Sequence, residues 1–350
     1  MTKALFILKR REDYNDNSEG YSSCQEVTTG MYNSAKFMSD ALIASGIESK
    51  LVTVVDNNAI DKEVHDYRPT HVFIEGYWVV PDKFDVLKKL HSSVKWIVRC
   101  HSELPFLSQE GIAIDWTFEY LKRGLLVAGN NPRINEEIRI MAHQYFHLSA
   151  ENIARMIPLL PNYYPVTWHH HEKEHHHDNE VINIGCFGAI RPLKNQLLQA
   201  VAAIDFATHH NKKLRFHINA GRVEMNGANP LKNLRALFAH IDHELIEHEW
   251  TRHQDFLDII SKMDICMQVS FSETFNIVSA DAVNMRRAIV VSKEVGWAYP
   301  LFAEPTESKD ITAKMHEIWK NKEFYIAANV ERLKHFSVES VKHWLRFLEV

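Results

Sequence analysis

Short apolar runs alternate with amphipathic stretches along most of this chain. In the first half, Ala4–Leu8, Ser49–Val55, His71–Ile74, Val94–Arg99, Leu125–Ala128 and Ala154–Ile157 read as strands. Between them Met31–Ala44, Asp82–His91, Trp116–Leu121 and Arg133–Tyr145 carry helical spacing. That alternation predicts an α/β domain built on a parallel sheet. A second series follows, with strands at Val181–Phe187, Leu214–Asn219, Glu244–Glu247, Ile265–Val269 and Ala288–Ser292. Its helices are expected at Asn195–Asp205, Leu231–Ala239, Gln254–Met263 and Asn276–Met285. Three more helices are predicted at Asp310–Lys320, Glu323–His335 and Val338–Leu348.

Two breaks interrupt the pattern. Residues Lys9 to Gly30 are polar and aperiodic, and a loop this long after a first strand is uncommon unless it works at the carboxyl-end crevice of the sheet. The prolines of Pro158–Pro165, followed by the polar run His169–Asn179, mark a boundary. The expected organisation is therefore a Rossmann-like domain over 1–165, a histidine-rich linker over 166–180, a second Rossmann-like domain over 181–325, and terminal helices over 326–350 that pack back toward the first domain. Two similar α/β halves suggest a bilobed enzyme with its ligands between the lobes.

The 350 residues suffice for two cores, and 45% hydrophobic with 24% charged residues is the balance of a soluble globular protein. The formal charge of −5 gives no global basic field for nucleic acid or anionic membrane, although a local basic groove can hide in such a total. Cys24, Cys100, Cys186 and Cys266 form no CxxC pair and read as reduced thiols. The start is too quickly interrupted by Lys9-Arg10-Arg11 to be a signal peptide, and no run approaches the ~18 apolar residues of a membrane span. A cytoplasmic protein is expected. The histidine triplets 169–171 and 175–177 can bind nickel or zinc adventitiously, but their spacing fits no finger or helix, so no catalytic metal is assigned.

The chemistry concentrates in Val269–Val283, a buried strand, a turn carrying Glu273, and a helix carrying Asp281. Eight residues are about two helical turns, so both carboxylates are expected to point toward one cleft. Each can accept from a pair of hydroxyls, and the helix-start N–H groups from Thr274 to Ile277 suit a phosphate. Hydroxyls at both ends with phosphate in the middle describe a nucleotide sugar. Earlier, Gly185–Asn195 leaves a strand with Gly188, Arg191 and Lys194, cations able to take the charge that grows on a departing diphosphate.

These two segments resemble those of the GT-B glycosyltransferases, in particular the retaining glycosyltransferase family 4. Gly188, Pro192 and Lys194 fall on that family's G-R-x-x-P-x-K loop, with the arginine displaced to Arg191; Ser270, Glu273, Phe275, Asp281 and Ala282 fall on its S-x-x-E…E-A segment. Trp250–Phe256, Met263–Ile265, Ile157-Pro158 and Asn162 add weaker matches. The similarity is specific over roughly 181–295 and only at fold level over 1–165. It implies that Glu273 holds hydroxyls of the transferred sugar, Asp281 holds the donor ribose, and Arg191 with Lys194 clamps the diphosphate. Gly188, Thr251, Ser270, Thr274, Phe275 and Asn276 would complete the donor site, with a UDP-sugar as first candidate and no metal or other cofactor required. This sequence departs from the family at Asp281, a shorter acid, at Thr274 and Asn276, where glycines are usual, and at Arg286-Arg287, where the family has a glycine turn.

In the first domain, Arg99–Glu103 ends a strand, where active-site groups of open sheets collect. His101 is a candidate contact to sugar or acceptor, oriented by Glu103. Trp78 is a candidate stacking surface, Asn130–Arg133 a helix cap, Asn219–Arg222 a second approach to the nucleotide, and the Lys9–Gly30 loop part of an acceptor site. The reaction expected is sugar transfer with retention, to a glycan, lipid-linked or protein acceptor or to a hydroxymethylated DNA base. For DNA, Lys9–Arg11 and Arg286-Arg287 are the visible basic groups. The alternatives are a nucleotide-sugar epimerase of the same fold and a sugar-nucleotide binding protein without turnover.

Overall fold

A computed structural model of the chain describes residues 2–10, 29–167 and 180–349. They form two compact units: 2–10, 29–165 and 336–349 make the first, 166–167 and 180–335 the second. The Lys9–Gly30 loop and the histidine run fall almost wholly outside the described residues, as does Arg11.

The first unit is a five-stranded parallel sheet of β1 (Lys3–Lys9), β2 (Glu48–Val54), β3 (His71–Glu75), β4 (Lys95–Cys100) and β5 (Leu126–Gly129), in the order β2-β1-β3-β4-β5. The inner strands β1, β3 and β4 are largely buried because both faces are covered, whereas β2 at the edge carries Glu48, Ser49 and Lys50. Along β1, Leu5 and Ile7 enter one core while Ala4, Phe6 and Leu8 enter the core on the opposite face. The helices are α1 (Gly30–Ala44), α2 (Ile60–Tyr67), α3 (Lys83–Leu90), α4 (Leu104–Leu107), α5 (Ala113–Lys122), α6 (Pro132–Phe146) and α7 (Ala150–Met156). Two differences from the expected elements have simple causes. The predicted strand Ala154–Ile157 lies in and just after α7, because the Ser149 hydroxyl caps that helix by accepting the Asn152 N–H at 3.3 Å. The helices expected at Glu323–His335 and Val338–Leu348 are one helix, α13 (Lys322–Phe347), whose sequence contains no proline or glycine to end it.

Helix α13 contributes to both units: residues through His335 belong to the second and those from Phe336 to the first. In the first unit, Trp344 is fully buried against Phe6 and Phe73, with ring centroids at 5.5 and 4.9 Å. Its indole N–H donates to the Pro161 carbonyl at 2.8 Å. The end of the chain thereby covers one face of the first sheet.

The second unit is also a parallel sheet, of β6 (Val181–Gly185), β7 (Lys213–Asn219), β8 (Glu244–His248), β9 (Ile265–Gln268) and β10 (Ala288–Val291), ordered β10-β9-β6-β7-β8. Helices α8 (Gln196–His209), α9 (Ala228–Phe238), α10 (His253–Ile260), α11 (Ile277–Asn284) and α12 (Ser308–Lys320) surround it. The strand order reverses between β6 and β9. Ligands of open α/β sheets bind at such a switch point, outside the carboxyl ends of the strands. The loops that leave β6 and β9 carry the Gly188–Lys194 and Ser270–Asn276 segments. Among the described residues, no helix is long and apolar enough to cross a membrane.

Candidate functional site

Both halves of the segment pair predicted from sequence meet at the switch point of the second unit. After β6 the chain turns at Gly188, whose φ of +104° lies in the left-handed region that favours glycine. The Gly188 N–H donates to the Asn219 side-chain oxygen at 2.8 Å, so Asn219 holds the loop. A short 3-10 turn over Pro192–Lys194 then delivers Lys194 into the sheet edge. Its ammonium pairs with the Glu273 carboxylate through a short charge-assisted hydrogen bond, and the two side chains are only 10% and 8% exposed. The Phe271 N–H donates to the Leu193 carbonyl at 2.9 Å and ties the two loops together through the backbone.

Burial pushes the Lys194 ammonium down from its ordinary pKa, with Glu273 opposing and Arg191 adding to the shift. Burial acts to raise the Glu273 carboxyl, but Lys194 and Arg191 outweigh it and hold the acid below the usual carboxylate range. Arg191 lies 3.6 Å from Glu224, which also takes the Arg222 guanidinium at 2.7 Å. Arg222 in turn stacks over Trp250, 4.6 Å from its ring centre, beside the half-buried Thr251. Both cations predicted for a diphosphate are thus at the switch point, each facing a carboxylate.

The second acid is differently placed from the first. Asp281 lies in α11, 2% exposed, and its carboxylate accepts from His253 Nε2 at 2.7 Å. Burial lowers the His253 pKa, but Asp281 prevails and raises it. His253 and Glu224 were missed from sequence. His253 lies inside the Trp250–Phe256 stretch noted there, and an imidazole opposite a shortened acid is the signal that could have found it.

The two missing glycines are explained in part. Asn276 caps α11 at φ +59°, a left-handed conformation that asparagine tolerates better than other side chains. Its side chain accepts the Ser279 N–H at 2.8 Å and donates to Gln268 at 2.9 Å, so the helix cap uses one of the amides near the expected phosphate position. Arg286, where a glycine turn is usual, likewise has φ +54°. Ser270 is fully buried with its carbonyl accepting from Ser292, and Phe275 is buried with its carbonyl accepting from the Trp297 indole at 2.6 Å. Thr274, half-buried, links Glu273 to them.

A separate polar cluster sits at the carboxyl edge of the first sheet. Register places Glu75 of β3 opposite Arg99 of β4, and the fully buried guanidinium donates to both Glu75 oxygens at 2.9 Å. It also donates to the Leu160 carbonyl and to Asn162, each at 3.0 Å. His101 Nε2 makes a short hydrogen bond to Glu75, and its Nδ1 lies 3.3 Å from the Asn130 amide. Burial lowers the His101 pKa and Arg99 adds to the shift, while the Glu75 carboxylate opposes it. The expectation that Glu103 orients His101 is corrected: Glu75 does so, and Glu103 pairs with Arg133 at 3.1 Å. Trp78 packs on the hydrophobic core, and Asn131 caps α6 by accepting the Arg133 N–H at 2.8 Å.

Beneath the candidate site, the neutral pair His217 and His248 joins β7 to β8, Nδ1 to Nε2 at 2.9 Å, with His217 Nε2 3.1 Å from Asn183. Burial first, then the neighbouring His248 ring and Arg215 guanidinium, push His217 down to about 3. Its folded pKa lies below the unfolded value of about 6.5, so the unfolded chain binds the extra proton and stability falls as pH drops below about 6.5. This group alone is expected to cost roughly 2 kcal/mol at pH 5. Urea unfolding at pH 7 and pH 5 measures it, and His217→Gln should flatten that part of the profile.

No protein-family model matches the chain, and no curated protein matches it in sequence. Solved structures do match in fold. A sucrose-phosphate synthase from Thermosynechococcus elongatus superposes with a TM-score of 0.69 at 12% identity, covering 99% of this chain and 98% of that one. An α,α-trehalose 6-phosphate synthase from Burkholderia multivorans gives 0.68 at 8% identity, covering 100% and 98%. HepE from Anabaena, solved with UDP and glucose, gives 0.65 at 13% identity, with both chains fully covered. At such identities the likeness establishes the architecture: two Rossmann-like units with parallel five-stranded sheets, the GT-B fold.

Proposed function

We propose that the chain is a glycosyltransferase whose second unit binds a nucleoside-diphosphate sugar and whose product keeps the anomeric configuration of the donor. The observation that carries this reading is the buried Lys194–Glu273 pair, set beside the Gly188 turn at the β6/β9 switch point. Two features support the donor class. HepE, which shares the fold, was solved with UDP-glucose, and the cations Arg191 and Lys194 follow the turn that a diphosphate would approach.

In this reading the glycine turn lets the backbone reach the pyrophosphate. Arg191 and Lys194 exchange part of their carboxylate contact for phosphate oxygens and stabilise the charge that develops as the nucleoside diphosphate leaves. Glu273, released toward the sugar, accepts from its hydroxyls. Asp281 with His253 receives the ribose. His101, with its ring nitrogens engaged by Glu75 and Asn130, is an oriented contact for sugar or acceptor. The acceptor class, a glycan or a hydroxymethylated DNA base among the candidates, is a separate matter from donor binding. No metal ion is assigned a role.

Hydrogen exchange with and without UDP tests the donor assignment. Protection is expected over Gly188–Asn195 and Ser270–Ser279, and UDP binding that leaves both segments unprotected would overturn it.

A further inference from the structure

We propose that His209, His210 and His316 form a binding site for a divalent transition metal, zinc in the first instance, on the α8/α12 side of the second unit and apart from the candidate donor site. Helix α8 ends at His209, His210 is its cap, and His316 projects from α12. The three rings gather pairwise at centroid separations of 4.6, 5.2 and 5.5 Å. Imidazoles bound through nitrogen to one tetrahedral zinc, with Zn–N of about 2.0–2.1 Å, have ring centres on the order of 5 Å apart.

Two donors are already spaced for such an ion. His210 Nε2 and His316 Nδ1 lie 3.2 Å apart, and two nitrogens on one tetrahedral zinc are separated by roughly 3.3 Å. A metal entering there replaces the imidazole–imidazole hydrogen bond with two coordinate bonds and little ring movement. The third donor is not yet in place, since no three His, Cys, Asp or Glu side chains among the described residues converge on a single point. His209 is solvent-exposed, so a change of rotamer can supply it. The surroundings suit a metal. Fully buried Phe206 packs against the His210 and His316 rings at 4.6 and 4.9 Å, and Trp319 lies 6.1 Å from His210. Asp205, one turn before His209 and paired with Lys309 at 3.1 Å, brings a carboxylate near His316. A bound ion would fasten the end of α8 to α12, and so act on the stability of this unit.

The test must separate this site from the histidines of 169–171 and 175–177. In full-length protein with those six replaced by serine, calorimetric titration with zinc chloride is expected to show one equivalent bound. Zinc at a hundredfold excess over its Kd should raise Tm by roughly 5–10 °C. His210→Gln and His316→Gln in the same background, which keep polar side chains at both positions, should each lose the equivalent and the thermal shift. Thermal unfolding without metal verifies that the variants fold, and the shift needs no assay of activity. Absence of zinc binding once the six histidines are gone, or binding unaffected by both glutamine variants, would overturn the proposal.

Discussion

Glu273→Ala is expected to lower kcat/KM for sugar transfer by roughly 10²–10³-fold while leaving the protein folded. Two losses combine. The carboxylate proposed to hold the sugar hydroxyls is gone, and Lys194 is left as a buried ammonium without its main partner. Because burial already pushes Lys194 down, removing Glu273 favours the neutral amine, which is useless for stabilising a departing diphosphate. Glu273→Gln separates shape from charge, because it keeps the size of the side chain and removes the negative charge. If its turnover falls as far as that of the alanine variant, the charge is the operative property. The measurement is steady-state release of nucleoside diphosphate, with circular dichroism to verify the fold.

Arg99→Met is expected to destabilise the first unit by about 3–5 kcal/mol. Arg99 and Glu75 are both wholly buried, and the guanidinium makes four hydrogen bonds to Glu75, Leu160 and Asn162. It also lies 4.8 Å from the ring centre of Trp344, so it supports the docking of the last helix. Methionine fills much of the volume but leaves Glu75 charged in the interior, with His101 its nearest remaining cation source. The double variant Glu75→Gln/Arg99→Met should therefore recover much of the loss, since a buried pair removed together costs far less than one partner removed alone. Urea denaturation of the two variants and the parent gives the comparison.

Much of this molecule was legible in the sequence, for reasons that particular residues make plain. Strands buried on both faces, such as Leu5-Phe6-Ile7 and Ile265–Met267, announce themselves as unbroken apolar runs. Boundaries depended on local chemistry that period alone does not carry: Ser149 turns an apparent strand into α7, and the absence of a breaker fuses two helices into α13. In the candidate site, Gly188, Lys194 and Glu273 stood out because they lie on strand-to-helix turns whose glycine, cation and acid suit a phosphate and a sugar, and the structure brings Lys194 and Glu273 together. What stayed hidden was pairing across distance in the chain. Nothing in the sequence near His101 says that Glu75, twenty-six residues away, rather than the adjacent Glu103, will orient it. That follows from β3 and β4 lying side by side in register. Asp281 with His253, and Arg191 with Glu224, are tertiary partners of the same kind. Asn276, noted in the sequence only as a departure from the resembling family's glycine, proves to be an asparagine that adopts a left-handed conformation and caps α11.

The central claim is that the Gly188–Lys194 and Ser270–Asp281 segments form a site for a nucleoside-diphosphate sugar. Its most direct test is nucleoside diphosphate release from a panel of UDP-, GDP-, ADP- and TDP-sugars, by the unaltered protein and by Glu273→Ala. The account predicts release from at least one member of the panel, lost in the variant. Release that continues undiminished in Glu273→Ala, or no release and no binding of any donor by the unaltered protein, would contradict it.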